Sequence, residues 1–237
     1  MKKRVVSSFL LITFSLSSGV FVPDNARYRV HYVKGVKATA ETLKGYGTLV
    51  PLEDFESYKV KIATWPAQGW RAVEPGTGNE GGTVQGKFSM FWKENRLYAL
   101  NRAVGRKYLT GWATYPTEAS KQKAVTQEHR KHILTFEANY HPDGEQLFMP
   151  QQRKPFVALL ALPGDDVTPD DFIAFYCDGS FGIAIGVGVW HQPLFAVTDE
   201  IDFQDRQGKV HACVALKFPE EFGCYVAVPL YDPERGE

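Results

Sequence analysis

From Tyr28 onward the chain runs in short apolar–polar alternations broken by turn residues, the period-two pattern of half-buried strands. Tyr28–Val33 and Ser57–Thr64 alternate in this way, and Ala40–Lys44 can close one helical turn before Tyr46–Gly47. Residues 67–86 carry six glycines and read as a loop or a set of tight turns. Lys87–Val104 is aromatic-rich and predicts two strands around a turn at Lys93–Asn95. Thr117–Lys131 is polar and lysine-rich, the best helix candidate, with a thin apolar face at Ala119, Ala124 and Val125.

The second half is denser in strands. Ile133–Tyr140 and Gln146–Met149 flank a turn at His141–Gly144. Phe156–Leu162, Phe172–Cys177, Ile183–Trp190, Leu194–Val197, Val210–Leu216 and Tyr225–Leu230 follow at close intervals. Too few helices are available to cover a parallel sheet. The expected fold class is therefore all-β, a sandwich or barrel with a few short helices and less than about a fifth of its residues helical.

Composition narrows the functions. At 237 residues and 44% hydrophobic, the chain can bury a sizeable core in one domain. Lys+Arg and Asp+Glu are equal at 27 each, so no net field draws it to nucleic acid or an anionic membrane. Cys177, Cys213 and Cys224 have apolar neighbours and read as buried free thiols. Residues 1–27 form a separate leader and residues 28–237 the single domain. The leader's basic start, apolar Val5–Leu16 and small residues Ser17–Gly19 have the outline of a secretory signal. The competing reading is a leader on a cytoplasmic protein. The missing disulfide pattern favours a cytoplasmic location.

Several familiar motifs fail on context. Gly182, Gly186 and Gly188 have no helix after them to cradle a dinucleotide. Gly179–Gly182 lacks the spacing of a nucleophile elbow. The loop holding Gly76, Gly78, Gly81 and Gly82 lacks a lysine and a helix. The informative stretch is Asn139–Pro150. Asn139 and His141 share a strand face, the Pro-Asp-Gly turn sends the chain back, and Glu145 or Gln146 can then face the same space. Adjacent strand residues face opposite sides, so only one of them does. A second histidine, His191, follows in Gly188-Val-Trp-His-Gln-Pro-Leu-Phe195. Arg102, between Leu100 and Val104, needs a partner for its charge and is a candidate anion holder. Glu137, His129 and Arg71 are candidate rim residues.

The two-part layout resembles the cupin superfamily, with Asn139 in place of the first histidine and Phe195 where an asparagine is usual. The resemblance implies a cupin-like double-stranded β-barrel. In it His141, Gln146 and His191 could ligate a divalent metal of unspecified identity. More narrowly, His141–Pro150 and Val189–Ala196 resemble the two signature stretches of the ureidoglycolate lyase family. Leu100–Ala103, Tyr46–Gly47 and Asp202–Arg206 resemble further parts of it. In that family the glutamine matching Gln146 recurs, which favours Gln146 as the inward residue. One polar run of the bacterial enzymes is replaced here by Ile185-Gly-Val187, leaving its substrate contacts missing or supplied from Gly105–Arg130. The resemblance implies elimination of urea from ureidoglycolate to give glyoxylate, a step in allantoin and purine degradation. His141, Glu145 and His191 would be catalytic, and Arg102 and Gln146 substrate-binding. The alternatives are a non-catalytic cupin that binds a small organic acid, or another metal-dependent cupin enzyme. The expected partners are the small-molecule substrate and a second copy in a homodimer, with no nucleic acid and no membrane.

Overall fold

A computed structural model describes residues 28–63, 69–78 and 80–236; the leader expected over residues 1–27 lies outside them, as does Thr64. In chain order the strands are β1 (Arg29–Tyr32), β2 (Lys34–Lys37), β3 (Gly47–Pro51), β4 (Glu80–Lys93), β5 (Arg96–Asn101), β6 (Arg106–Trp112), β7 (His132–Thr135), β8 (Glu137–Tyr140) and β9 (Gln146–Pro150). They continue as β10 (Phe156–Ala161), β11 (Ile173–Cys177), β12 (Phe181–Ile185), β13 (Trp190–His191), β14 (Phe195–Ala196), β15 (Glu200–Val210), β16 (Val214–Lys217) and β17 (Cys224–Pro229). Short helical turns, including the five-residue α1 (Phe218–Phe222), bring the helical share to 7%, as an all-β reading requires.

Ten strands form one sheet in the order β1-β17-β7-β6-β5-β4-β15-β9-β12-β3. A second sheet runs β16-β8-β13-β10-β11-β2, with β14 also paired to β10. The N-terminal strands tie the two together. β1 runs parallel to β17 at the edge of one sheet, and after Val33 the chain passes to the other, where β2 runs parallel to β11. Aromatic side chains fill the space between the sheets, with the Phe156 ring of one meeting Phe203 of the other at 5.0 Å. β10 and β17 are buried along their whole length, which explains their continuous apolar sequence. This architecture is consistent with a cupin-like fold.

Three sequence expectations are corrected. Residues 117–131 form turns and a 3-10 helix at Gln127–His129 instead of a helix. The buried Asn95 amide donates to the carbonyls of Ala119, Gln122 and Lys123, and its oxygen accepts the Val125 N–H. These are backbone groups that a helix would have used. The glycine-rich loop ends earlier than expected, because β4 already begins at Glu80. Gly86 belongs in that strand because a Cβ there would lie 2.7 Å from the Ala103 backbone nitrogen. The described part of Ser57–Thr64 makes no strand, only a single bridge from Ile62 to Gly144. The three cysteines are free, with Cys177 and Cys224 buried and Cys213 half-buried. No helix among the described residues is long and apolar enough to cross a membrane.

Candidate functional site

Alternation along β8 sets the site. Glu137 and Asn139 of β8, and His141 just beyond it, line a cavity of about 1230 Å³, while Ala138 packs into the core. Asn139 pairs with His191 across β13 and with Ala215 of β16. His191 therefore reaches the wall beside His141, with ring centroids 5.0 Å apart. The expected run Ile183–Trp190 breaks to make this possible. Gly188 adopts a φ of +74°, and its N–H donates to the His141 carbonyl at 3.0 Å, stitching the two histidine segments together.

A backbone carbonyl fixes each imidazole. His141 Nδ1–H donates to the Ala212 carbonyl and His191 Nδ1–H to the Val189 carbonyl, both at 2.8 Å. A carbonyl can only accept, so both rings carry the proton on Nδ1 and leave Nε2 as the basic atom, and the His141 ring also meets the Gln146 side chain. Burial, reinforced by the neighbouring His211 and His191, holds His141 well below the usual histidine range. Burial pushes His191 down to about 4. Both are neutral bases at physiological pH.

A third histidine, absent from the sequence reading, lies behind them. The His211 ring lies 4.3 Å from His141 at a 35° tilt, between Gly144 and Gly208, where a Cβ would come within 3.0 and 3.3 Å of it. Its Nε2 accepts the Gly208 N–H at 2.6 Å, and its Nδ1 faces Asp143 at 3.4 Å. Asp143 also accepts the Ala212 N–H at 2.9 Å. The Pro-Asp-Gly turn thus positions the carbonyl that orients His141.

Gln146 faces inward and Glu145 does not. Glu145 is buried on the opposite side, accepting from the Lys61 N–H at 2.9 Å and the Tyr58 hydroxyl at 3.3 Å. It pins the 58–61 segment and lines no part of the cavity. The Gln146 amide nitrogen donates to Asp205 and to Gln207, each at 2.9 Å. Asp205 is fully buried, and burial pushes it up to about 7 against the hydrogen bonds from Gln146 and Asn101. Asp205 stood inside the stretch Asp202–Arg206, but neighbouring polar residues of a strand give no sign of which one meets a partner.

Arg102 is exposed at the β5–β6 turn and off the cavity wall. Arg106, Lys107, Lys209 and Lys217 are the cations that line it, and Asn101 opposite Arg106 belongs to the same wall. Of the rim candidates only Glu137 lines the cavity. Arg71 is buried against Glu221 and the Trp70 ring, and His129 is exposed. Ile185 is core, and Ile185–Val187 contribute nothing to the wall. Arg106, Tyr108 and Trp112, from the 105–130 stretch, do line it.

The donors do not assemble a metal cage. Among the described residues no three or more His, Cys, Asp or Glu side chains are placed to hold an ion. His211 Nε2 is committed to Gly208, Glu145 faces away, and Asp205 is held by two amides. What remains is His141, His191 and the Gln146 oxygen, with no anionic ligand.

Residues 89–224, more than half of the chain, match the family model described as Ureidoglycolate lyase. The match contains every residue of the histidine and amide clusters. The chain is 36% identical over 83 residues to the ureidoglycolate lyase of Azotobacter vinelandii, covering 34% of this chain and 50% of that protein. It is 32% identical over 116 residues to that of Pseudomonas entomophila, covering 46% and 70%. With that of Stutzerimonas stutzeri it shares 35% over 131 residues, covering 52% and 76%. The chain thus spans from half to three quarters of the length of these relatives. By the extent of the family match and the cover of the last two relatives, the chain belongs to the ureidoglycolate lyase family.

Proposed function

We propose that the protein is a lyase that eliminates urea from ureidoglycolate and releases glyoxylate. The observation that carries the reading is the pair of neutral imidazoles, 5.0 Å apart, offering unprotonated Nε2 atoms to a cavity walled by amides. The substrate carries a hydroxyl, a carboxylate and a ureido nitrogen on one carbon. The hydroxyl proton must leave as the carbonyl forms, and the departing nitrogen needs a proton as the C–N bond breaks. One proton serves both ends, so a single imidazole can take it from oxygen and return it to nitrogen. His141, with its ring fixed by Ala212, suits this task, and His191 is the second base beside it. The low proton affinity of both rings keeps them unprotonated before the reaction and makes the imidazolium a strong acid afterwards.

Arg106, and not Arg102, takes the carboxylate role, because it lines the cavity. Glu145 has a structural role. A divalent ion bound by His141, Gln146 and His191 is left without an anionic ligand, and the chain's own groups carry the proton transfer. The same reading puts the enzyme in cytoplasmic allantoin and purine degradation, a compartment that suits three free thiols.

The test is glyoxylate release from ureidoglycolate, followed by a coupled dehydrogenase, with the protein dialysed against chelator and with divalent metal restored. Glyoxylate release at the same rate in both arms is expected. No release in either arm would favour a diverged cupin that binds a small organic acid, a reading supported by the apolar Ile185–Val187 run. Release only with metal would reinstate the ion.

A further inference from the structure

The amide cluster beside the histidines has a polarity that can be deduced atom by atom. A backbone N–H can only donate, and Ala103 N–H lies 2.9 Å from one amide atom of Asn101, so that atom is Oδ1. Asn101 Nδ2 must then be the atom 3.1 Å from both Asp205 and Gln207. Gln207 therefore presents its oxygen to Asn101. The Gln146 atom that meets that same oxygen, and Asp205, at 2.9 Å is a nitrogen. The Asp205 carboxylate fits this arrangement because it accepts at both oxygens, one amide on each. Two groups face the ligand: Gln146 Oε1, an acceptor that also meets the His141 ring and keeps a second lone pair, and Gln207 Nε2, a donor. A further acceptor, Asn139 Oδ1, is buried without a hydrogen-bond partner in a residue of the same wall.

We propose that Asp205 is a positioning residue that locks this polarity, so that Gln146 Oε1, Asn139 Oδ1 and Gln207 Nε2 form a subsite for a planar ureido group. A ureido group offers N–H donors on one side and a single carbonyl oxygen on the other. Its N–H groups meet the two acceptors and its oxygen meets the Gln207 amide. The subsite selects ureido over acyl-amide compounds, because a methyl in place of the terminal NH2 leaves a buried acceptor unpaired. The inference rests on the cavity being where ureidoglycolate binds, and gives Gln146, Asn139 and Gln207 the substrate end away from the carboxylate. Asp205 touches no substrate atom. Its effect is carried through the Gln146 and Asn101 amides.

The test uses two unreactive acids of similar size. Hydantoate carries a ureido group and a carboxylate, and N-acetylglycine has a methyl in place of the terminal NH2. Calorimetric titration of the full-length protein should show hydantoate binding roughly tenfold or more tighter than N-acetylglycine. Asp205→Asn puts an amide nitrogen against an amide nitrogen and forces one partner to turn over. Gln207→Glu keeps the shared oxygen and removes the donor. Both variants should reduce the binding ratio to within about threefold of unity, while glyoxylate, which lacks the ureido end, binds each as it binds the parent. If Asp205→Asn does not fold by circular dichroism, Gln207→Glu decides. A parent ratio near one, or a ratio unchanged in folded variants, overturns the subsite. Absence of ureidoglycolate turnover with the ratio intact would instead fault the assigned reaction.

Discussion

Glu137 offers the most direct physical test of the cavity as a buried polar space. Burial pushes its carboxyl up from 4.5 to about 7, with Lys217 lowering it and Glu74 raising it to lesser extents. In the unfolded chain the proton leaves near pH 4.5, whereas in the folded protein it stays until about pH 7. The folded state therefore binds more protons across that window, and the group's contribution to stability falls as pH rises through it. The full gap corresponds to about 3 kcal/mol. Glu137 is only half-buried and the cavity admits water, so roughly half of that is expected, about 1.5 kcal/mol. Glu137→Gln keeps the shape and an acceptor for Gln192 while removing the titration. Guanidinium unfolding followed by tryptophan fluorescence, at pH 5 and pH 8, measures the effect as the change in the variant-minus-parent difference. Every other ionisable group is common to both proteins and cancels in that difference. The variant should gain about 1.5 kcal/mol on the parent at pH 8 relative to pH 5. A pH-independent difference, or a gain at pH 5, would refute a buried, proton-holding Glu137.

His141→Ala and His191→Ala should each lower kcat/KM by about a hundredfold or more with the fold intact, read by coupled glyoxylate release and thermal melting. Glu145→Ala should instead lower stability by about 1–3 kcal/mol and leave kcat within about threefold, because it removes the oxygen that accepts from the Lys61 N–H and the Tyr58 hydroxyl. Arg106→Lys should raise KM more than it lowers kcat, as a bidentate clamp becomes a point charge, while Arg102→Lys changes neither; steady-state kinetics separate the two. With His191 neutral down to about pH 4, the imidazole's own acid limb of log kcat/KM should set in well below pH 6.5, and a limb near 7 should move with Glu137→Gln or Asp205→Asn. A limb near 6.5 that neither substitution moves would refute the buried imidazoles as the base.

Much of this site was open to reading because strands carry their own geometry. Alternation put Asn139 and His141 on one face of the chain, and the Pro-Asp-Gly turn implied that either Glu145 or Gln146 would return to it. Periodicity could not choose between those two. The choice lies in the 58–61 segment, which captures the Glu145 carboxylate from outside and so turns Gln146 inward. Nothing near Glu145 in the sequence announces that contact, since Tyr58 stands 87 residues earlier. His211 was hidden for a similar reason, because its value depends on glycines at 144 and 208 making room for the ring.

The two arginines show the limit more sharply. Arg102 looked like the anion holder because apolar residues flank it at alternate positions, which on a continuous strand would turn it to a packed face. The strand stops at Asn101, however, and Arg102 enters the turn, where the alternation no longer applies. Asn101 is the last residue to keep the strand's phase, which directs its amide to Asp205 and Gln207. Across the turn, Arg106 pairs with Asn101 and resumes the phase on the returning strand, so it inherits the cavity wall. A shift of one residue in the end of β5 would exchange these fates. The polarity of this wall therefore depends on where a strand ends, which local propensity specifies least well, and the Ala103 N–H that caps Asn101 is the contact that fixes it.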